Sequence, residues 1–223
     1  MKTILCYGDS NTWGFDPATQ ERLSGEDRWP GVLSQALGAA YQVIEEGLPG
    51  RTTVWDDPLE GYKNGKTYLI PCLESHRPID LVVIMLGTND LKTRFSLSAD
   101  DVASGAGVLV DVVQRSAAGP RGESPQVLLL APPPLGEPAE RAEMFEGARA
   151  KSLKFSRRYA RVAEEYGCAF LDTAEVVVSS AIDGVHLDVN EHHKLGRAVA
   201  VLVKRLLENW TGLTRLTGFM RRV

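Results

Sequence analysis

The chain has 223 residues, of which 24% are charged and 43% hydrophobic, which suits one α/β domain with a real core. A formal net charge of −4 argues against a nucleic-acid partner, because phosphate binding needs a basic surface. No apolar run reaches transmembrane length and the N-terminus lacks the pattern of a signal peptide, so a cytoplasmic protein with no membrane partner is expected.

Short apolar runs alternate with longer amphipathic ones along the chain. Residues 2–7 read as a strand. Residues 28–37 read as a helix, with Trp29, Val32, Leu33 and Leu37 at helical spacing. A short strand at 42–45 precedes a weaker helix at 67–76 that carries Pro71. Residues 80–86 form the most apolar strand. Ser98 and Asp101 make a capping box for a helix running to about residue 116. A strand at 126–130, a helix at 148–166 ending before Gly167, and a strand at 168–171 follow. Asn190 is placed to cap a last helix that runs to about residue 209.

Strands joined by crossover-length helices predict a three-layer α/β/α architecture with a mainly parallel sheet. Residues 1–210 are expected to form that domain, with 211–223 as a tail. Chemistry in such sheets gathers at the carboxyl ends of the strands. Three long connections, at 15–27, 51–66 and 132–147, follow strand ends and are expected to rim a site. Cys6, Cys72 and Cys168 are widely spaced and odd in number, which speaks for buried thiols rather than a disulfide or metal framework.

Gly8-Asp9-Ser10 follows the first strand directly. A serine hydroxyl needs a neighbouring base and an exposed perch, and a turn at a strand end supplies the perch. Taken alone, the triplet fits an ordinary turn, with Asp9 or Ser10 as a helix cap, better than it fits a nucleophile. Asp183-Gly184-Val185-His186 precedes the last helix. An acid and a histidine three residues apart in a tight turn can hold one imidazole nitrogen and leave the other free. Asp172 and Asp188 are weaker candidates for that acid. His76 reads as a helix-end residue, and His192 and His193 as solvated helix residues pointing about 100° apart. Asn89, in Gly87-Thr88-Asn89-Asp90, and Gly50 also follow strands and are placed to donate to an oxyanion.

These four segments, in this order, resemble the sequence blocks of the SGNH/GDSL hydrolase superfamily. The resemblance implies a flavodoxin-like sheet. It implies Ser10 as nucleophile, His186 as base and Asp183 as its orienting acid. The oxyanion hole would comprise the N–H groups of Ser10 and Gly50 and the side chain of Asn89. Asn11 stands where many members carry Leu, and its backbone is expected to matter more than its side chain. The runs Val43-Ile44-Glu45-Glu46-Gly47-Leu48 and Arg51-Thr52-Thr53, with Asp56-Asp57-Pro58, look more specifically like bacterial arylesterases and acyltransferases. That subgroup implies a homo-oligomer, often an octamer. It also implies short-chain ester hydrolysis, with acyl transfer to alcohols or peroxide in some members. No cofactor or metal is expected. Trp13, Phe15 and Trp55 are expected to line an apolar substrate site, with core packing as their competing role. The alternatives are a carbohydrate O-acetylesterase on the same scaffold and a non-catalytic binding protein.

Overall fold

The computed structural model describes residues 1–137 and 143–208; the expected tail at 211–223 and residues 138–142 of the third long connection lie outside them. Five strands form one sheet in the order β2-β1-β3-β4-β5, with every neighbouring pair parallel. They are β1 (Lys2–Gly8), β2 (Tyr41–Gly47), β3 (Leu81–Met85), β4 (Gln126–Ala131) and β5 (Ala169–Asp172). This is the flavodoxin-type order, whose direction of winding reverses between β1 and β3. A crevice at the carboxyl ends of those two strands is where such a sheet places its ligand.

The layers follow from side-chain alternation along the strands. Leu5 and Tyr7 of β1, Val82 and Ile84 of β3, and Leu129 of β4 pack toward α3 (Gly65–His76), α4 (Ala99–Arg115) and α6 (Phe155–Tyr166). Ile4, Cys6, Leu81, Val83, Leu128 and Leu130 face the other way, toward α2 (Trp29–Leu37) and α7 (Val189–Glu208). The central strands are apolar on both faces because helices cover both. The three cysteines are free, with Cys6 and Cys72 fully buried.

Two helices differ from expectation. The predicted helix at 148–166 is broken into α5 (Ala148–Ser152) and α6. At the break, the Ser152 hydroxyl donates to the Arg149 carbonyl and accepts from the Leu135 N–H. That serine ties α5 to the chain leaving β4 instead of continuing one straight rod. The last helix starts at Val189, one residue before the expected Asn190 cap, and the Asp188 carbonyl accepts from the N–H groups of Glu191 and His192. The Ser98–Asp101 capping box of α4 is present in both directions.

Candidate active site

Ser10 is the first residue of α1 (Ser10–Trp13), a single turn that leaves β1 at once. Asp9 caps that turn, its carboxylate accepting from the Asn11 N–H at 3.0 Å. From the far end of the chain, the segment before α7 brings His186 over the same turn. Its Nε2 lies 2.9 Å from Ser10 Oγ. Its Nδ1 is hydrogen-bonded to Asp183 Oδ2. A carboxylate can only accept, so Nδ1 carries the proton and Nε2 is left to accept from the serine.

Asp183 Oδ1 accepts from the N–H groups of Val185 and His186, both at 2.9 Å. Burial pushes this carboxyl up. The bond from the His186 ring and the two N–H donors outweigh burial and hold it at about 2. Asp183 is therefore a fixed negative charge at neutral pH. Asp172 instead caps a turn after β5 by accepting from the Ala174 N–H, so it is not the acid at this site.

Gly50 takes φ +83°, and an added Cβ would stand 2.7 Å from Glu60 Oε2 and 3.1 Å from Lys63 Cε. Its amide has no acceptor among the described residues. Asn89 Nδ2 donates to the Arg51 carbonyl at 3.1 Å and reaches Asp9 Oδ2 at 3.5 Å. The structure thus brings Ser10, Asn89, the Gly50–Arg51 turn, His186 and Asp183 to one end of the sheet. Gly87, two residues before Asn89, has φ +133°, and a Cβ there would collide with the Tyr159 hydroxyl at 2.1 Å. That hydroxyl donates to the Leu86 carbonyl at 2.7 Å, so α6 fixes the turn that presents Asn89.

The aromatic residues separate. Phe15 packs on the imidazole of His186, ring centroids 4.2 Å apart. Trp13 lies under the Arg22 guanidinium, 5.2 Å from ring centroid to Cζ. Trp55 sits on the 51–64 segment and is 37% exposed.

Several residues of this region carry roles the sequence did not announce. Arg51 is buried; its Nη1 donates to the Gly8 carbonyl at 2.9 Å and to the Glu46 carbonyl, joining the ends of β1 and β2. Its guanidinium stacks on Tyr7. Asp90 is fully buried and accepts from the N–H and hydroxyl of Thr53. Burial is the main cause that raises Asp90 to about 6 and Asp9 to about 7. Asp57 accepts from Arg94 at 3.0 Å, and Lys92 reaches Glu60 at 2.7 Å. These bonds pin the 51–64 segment beside the site.

Two expectations are corrected. His192 is not solvated: it is buried, its Nδ1 accepts from the Trp29 N–H at 3.2 Å, and burial lowers it to about 3. The cause is the close packing of α2 on α7. His193 does face outward, 3.3 Å from Asp27. Asn11 does more than supply backbone; its side chain bonds to the chain on both sides of His186. Wide spacing in sequence also hid a cluster of ligand-type atoms. Glu46, Cys72 and His76 lie within 4.8 Å of one another, the only such group among the described residues. Glu46 and His76 share a hydrogen bond of 2.8 Å. Burial and then Glu46 push the Cys72 thiol up to about 12, and the neighbouring Arg51 cation opposes a second cation there. A metal needs the thiolate, so the cluster reads as a hydrogen-bonded anchor for the end of α3.

A model of the GDSL-like lipase/acylhydrolase family matches residues 6–192. The native M. smegmatis aryl esterase is 43% identical, with a TM-score of 0.89 over 93% of this chain and 100% of that one. A carbohydrate acetylesterase from Sinorhizobium meliloti is 39% identical, with a TM-score of 0.89 over 92% of this chain and 100% of that one. No curated protein matches the chain. Among the described residues no helix is long and apolar enough to cross a membrane.

Proposed function

The chain belongs to the GDSL-like lipase/acylhydrolase family and is an ester hydrolase, and we propose that it works through Ser10, His186 and Asp183 on short-chain esters. The observation that carries this reading is the continuous hydrogen-bonded line from Asp183 through His186 to Ser10. In the first step Ser10 Oγ attacks the ester carbonyl and its proton passes to His186 Nε2. Negative charge gathers on the former carbonyl oxygen, where the N–H groups of Ser10 and Gly50 and the Asn89 amide are the proposed donors. The carbon–oxygen bond to the alcohol then breaks, and His186 returns its proton to the leaving alcohol. Water repeats the sequence on the acyl-enzyme and releases the acid; an alcohol or peroxide in place of water gives acyl transfer. Every proton in this cycle moves between Ser10, His186, the substrate and the attacking water, alcohol or peroxide, so the proposed cycle calls for no cofactor.

The experiment is hydrolysis of p-nitrophenyl acetate and octanoate at about pH 8, without added metal, by the wild type and Ser10→Ala. Good turnover of acetate, poor turnover of octanoate and a dead variant are expected. Full activity in Ser10→Ala would reject the serine mechanism. Phe15, packed on His186, is the proposed wall of the acyl side of the site. Trp55→Ala tests the leaving-group side: an unchanged ratio of aryl to alkyl ester turnover would remove Trp55 from the site.

A second reading, deacetylation of carbohydrates, is favoured by the polar rim beside Gly50, where Glu60 and Lys63 crowd the glycine. Turnover of acetylated sugars compared with aryl acetates separates the two. Three free thiols fit a reducing compartment, in line with a cytoplasmic location. Leu59 and Tyr62, 77% and 100% exposed on the 51–64 segment, are where a second copy would seat in the proposed homo-oligomer. Light scattering in solution would count the copies.

A further inference from the structure

The residue after the nucleophile holds the base. Asn11 is 2% exposed on α1, and its side chain bonds to the segment before α7. Its Oδ1 accepts from the Leu187 N–H at 3.0 Å, and its Nδ2 donates to the Val185 carbonyl at 3.4 Å. Those two backbone groups flank His186 directly. Besides the bond between Ser10 and His186, they are the hydrogen bonds that join the nucleophile turn to residues 180–187 among the described residues.

Other restraints on the histidine act within its own segment or toward different neighbours. Asp183 accepts from the Val185 and His186 N–H groups, and the Ser180 N–H donates to the His186 carbonyl at 2.7 Å. The Gly136 N–H donates to the Gly184 carbonyl at 2.8 Å, tying the segment to the chain beyond β4. These bonds shape the loop and orient the ring, but none of them sets its distance from Ser10. Asn11 does, because it sits one residue from the serine on the same helical turn and grips both peptides around the base.

We propose that Asn11 is a positioning residue that sets the reach of His186 Nε2 to Ser10 Oγ, so that its side chain acts on rate and not on substrate binding. The proposal rests on the Ser10–His186 reading given above. Leu at this position would fill a similar volume but offer no acceptor to the Leu187 N–H, a buried donor that would then have to find another partner. The segment would move to satisfy it and carry His186 along. A displacement of about 1 Å in such a pair costs on the order of a hundredfold in rate.

The test compares wild type, Asn11→Leu and Asn11→Asp. Asp keeps an oxygen for the Leu187 N–H and, when protonated in its buried setting, an O–H for the Val185 carbonyl. Two readouts are taken well below the unfolding temperature of each protein. One is kcat and KM for p-nitrophenyl acetate. The other is the rate at which diethyl p-nitrophenyl phosphate phosphorylates Ser10, a step in which Oγ bonds to phosphorus, p-nitrophenolate leaves and His186 takes the serine proton. In Asn11→Leu, kcat is expected to fall about tenfold to a hundredfold with KM within about twofold, since the histidine serves both half-reactions. Phosphorylation slows in parallel, and Asn11→Asp regains most of both rates. A purely structural role would lower the unfolding temperature and leave these rates alone. A folded Asn11→Leu with wild-type kcat overturns the proposal, as does an equal loss in Leu and Asp. If Asn11→Leu does not fold, Asn11→Ala carries the same comparison. Wild-type protein that takes no label at Ser10, together with an active Ser10→Ala, would overturn the serine reading and this proposal with it. Normal labelling of wild type and Asn11→Leu at one rate overturns this proposal alone.

Discussion

The two sides of the site are built in different ways. On one side, the nucleophile turn and the 183–187 segment are short stretches whose side chains bond to backbone a few residues away. Asp9 caps the turn of Ser10, and Asp183 accepts from the N–H groups of Val185 and His186. On the other side, the 51–64 segment is held by pairs from distant elements: Thr53 to Asp90, Asp57 to Arg94, Glu60 to Lys92. The first construction shapes each stretch of the proposed reacting site by local geometry and joins the two stretches through Asn11, which tolerates little change. The second holds a rim by several charged contacts, any one of which can be lost while others remain. Substitutions on the first side should therefore cost rate, and those on the second should cost binding and modest stability.

Asp183→Asn should show the largest effect. Asn can accept from the two N–H groups but presents either a donor or a neutral acceptor to His186 Nδ1, so the ring loses both its tautomer and its counter-charge. A fall in kcat of about 10⁴ is expected, at near-normal KM and unfolding temperature. A fall of less than about tenfold would mean that another acid, or a carbonyl, orients the ring. Next comes Asn89→Ala. Removing one oxyanion donor costs about 10²-fold or more in kcat. The same change frees the Arg51 carbonyl and a side of Asp9, so the unfolding temperature should be measured alongside. If KM rose and kcat held, Asn89 would be a substrate-binding residue and not an oxyanion donor.

The contrast between the two sides is also a contrast in what the sequence makes readable. The strands and their parallel, doubly covered setting were legible, because runs such as Leu81–Met85 are apolar on both faces and parallel sheets demand that. Ser10, Asp183 and His186 were legible as candidates because each lies in a short motif at a strand end or before a helix. The rim was not. Nothing local marks Asp57 as the partner of Arg94, 37 residues on, or Arg51 as the clamp between Gly8 and Glu46. The break between α5 and α6 was missed for a similar reason: helical periodicity continues through it, and the serine that ends the first piece bonds to a residue 17 positions back. His192 was misread because neighbouring histidines on a helix look solvated until the helix that covers them, α2, is in place. Asn11 was misread because its partners stand 174 and 176 residues away.

Lys92→Met sharpens the rim side of the comparison. Lys92 is 4% exposed and pairs with Glu60 and, at 3.8 Å, with the buried Asp57, which keeps its bond to Arg94 when the lysine is gone. Met preserves the buried apolar stem and deletes the charge. Glu60 is 38% exposed and can return to water. The cost in stability should stay near 1 kcal/mol. A rise in KM of a few-fold with kcat unchanged is expected, read from acetate turnover. A drop in kcat as large as that of Asn89→Ala would show that the rim charges belong to the reacting site, and the division between the two sides would fail.

The smallest effect concerns the ionisable groups buried beneath both sides, and it is read from stability against pH. His192 titrates at about 3 in the fold, below its ordinary 6.5, so the unfolded chain takes up a proton that the folded chain refuses. Its contribution to stability is full above pH 6.5 and is lost as pH falls from 6.5 toward 3. Asp9 has the opposite sign. Its folded value of about 7 lies above the ordinary 3.8, so the fold keeps a proton that the unfolded chain releases, and stability is lost as pH rises from 3.8 to 7. Asp90, raised by burial to about 6, works in the same direction as Asp9, so as pH falls from 6 to 4 the two carboxyls together outweigh His192 and the wild-type unfolding temperature should rise modestly. Asp183 adds a loss only at the acid end, as pH falls from 3.8 toward 2. His192→Asn keeps an acceptor for the Trp29 N–H and removes the titration, which leaves Asp9 and Asp90 unopposed. The variant's unfolding temperature should therefore rise, relative to wild type, as pH falls from 6.5 to 4. Parallel curves for the two proteins would mean that solvent reaching the α2–α7 seam lets His192 take up its proton in the fold as readily as in the unfolded chain, and the account of His192 as a buried neutral acceptor would fail.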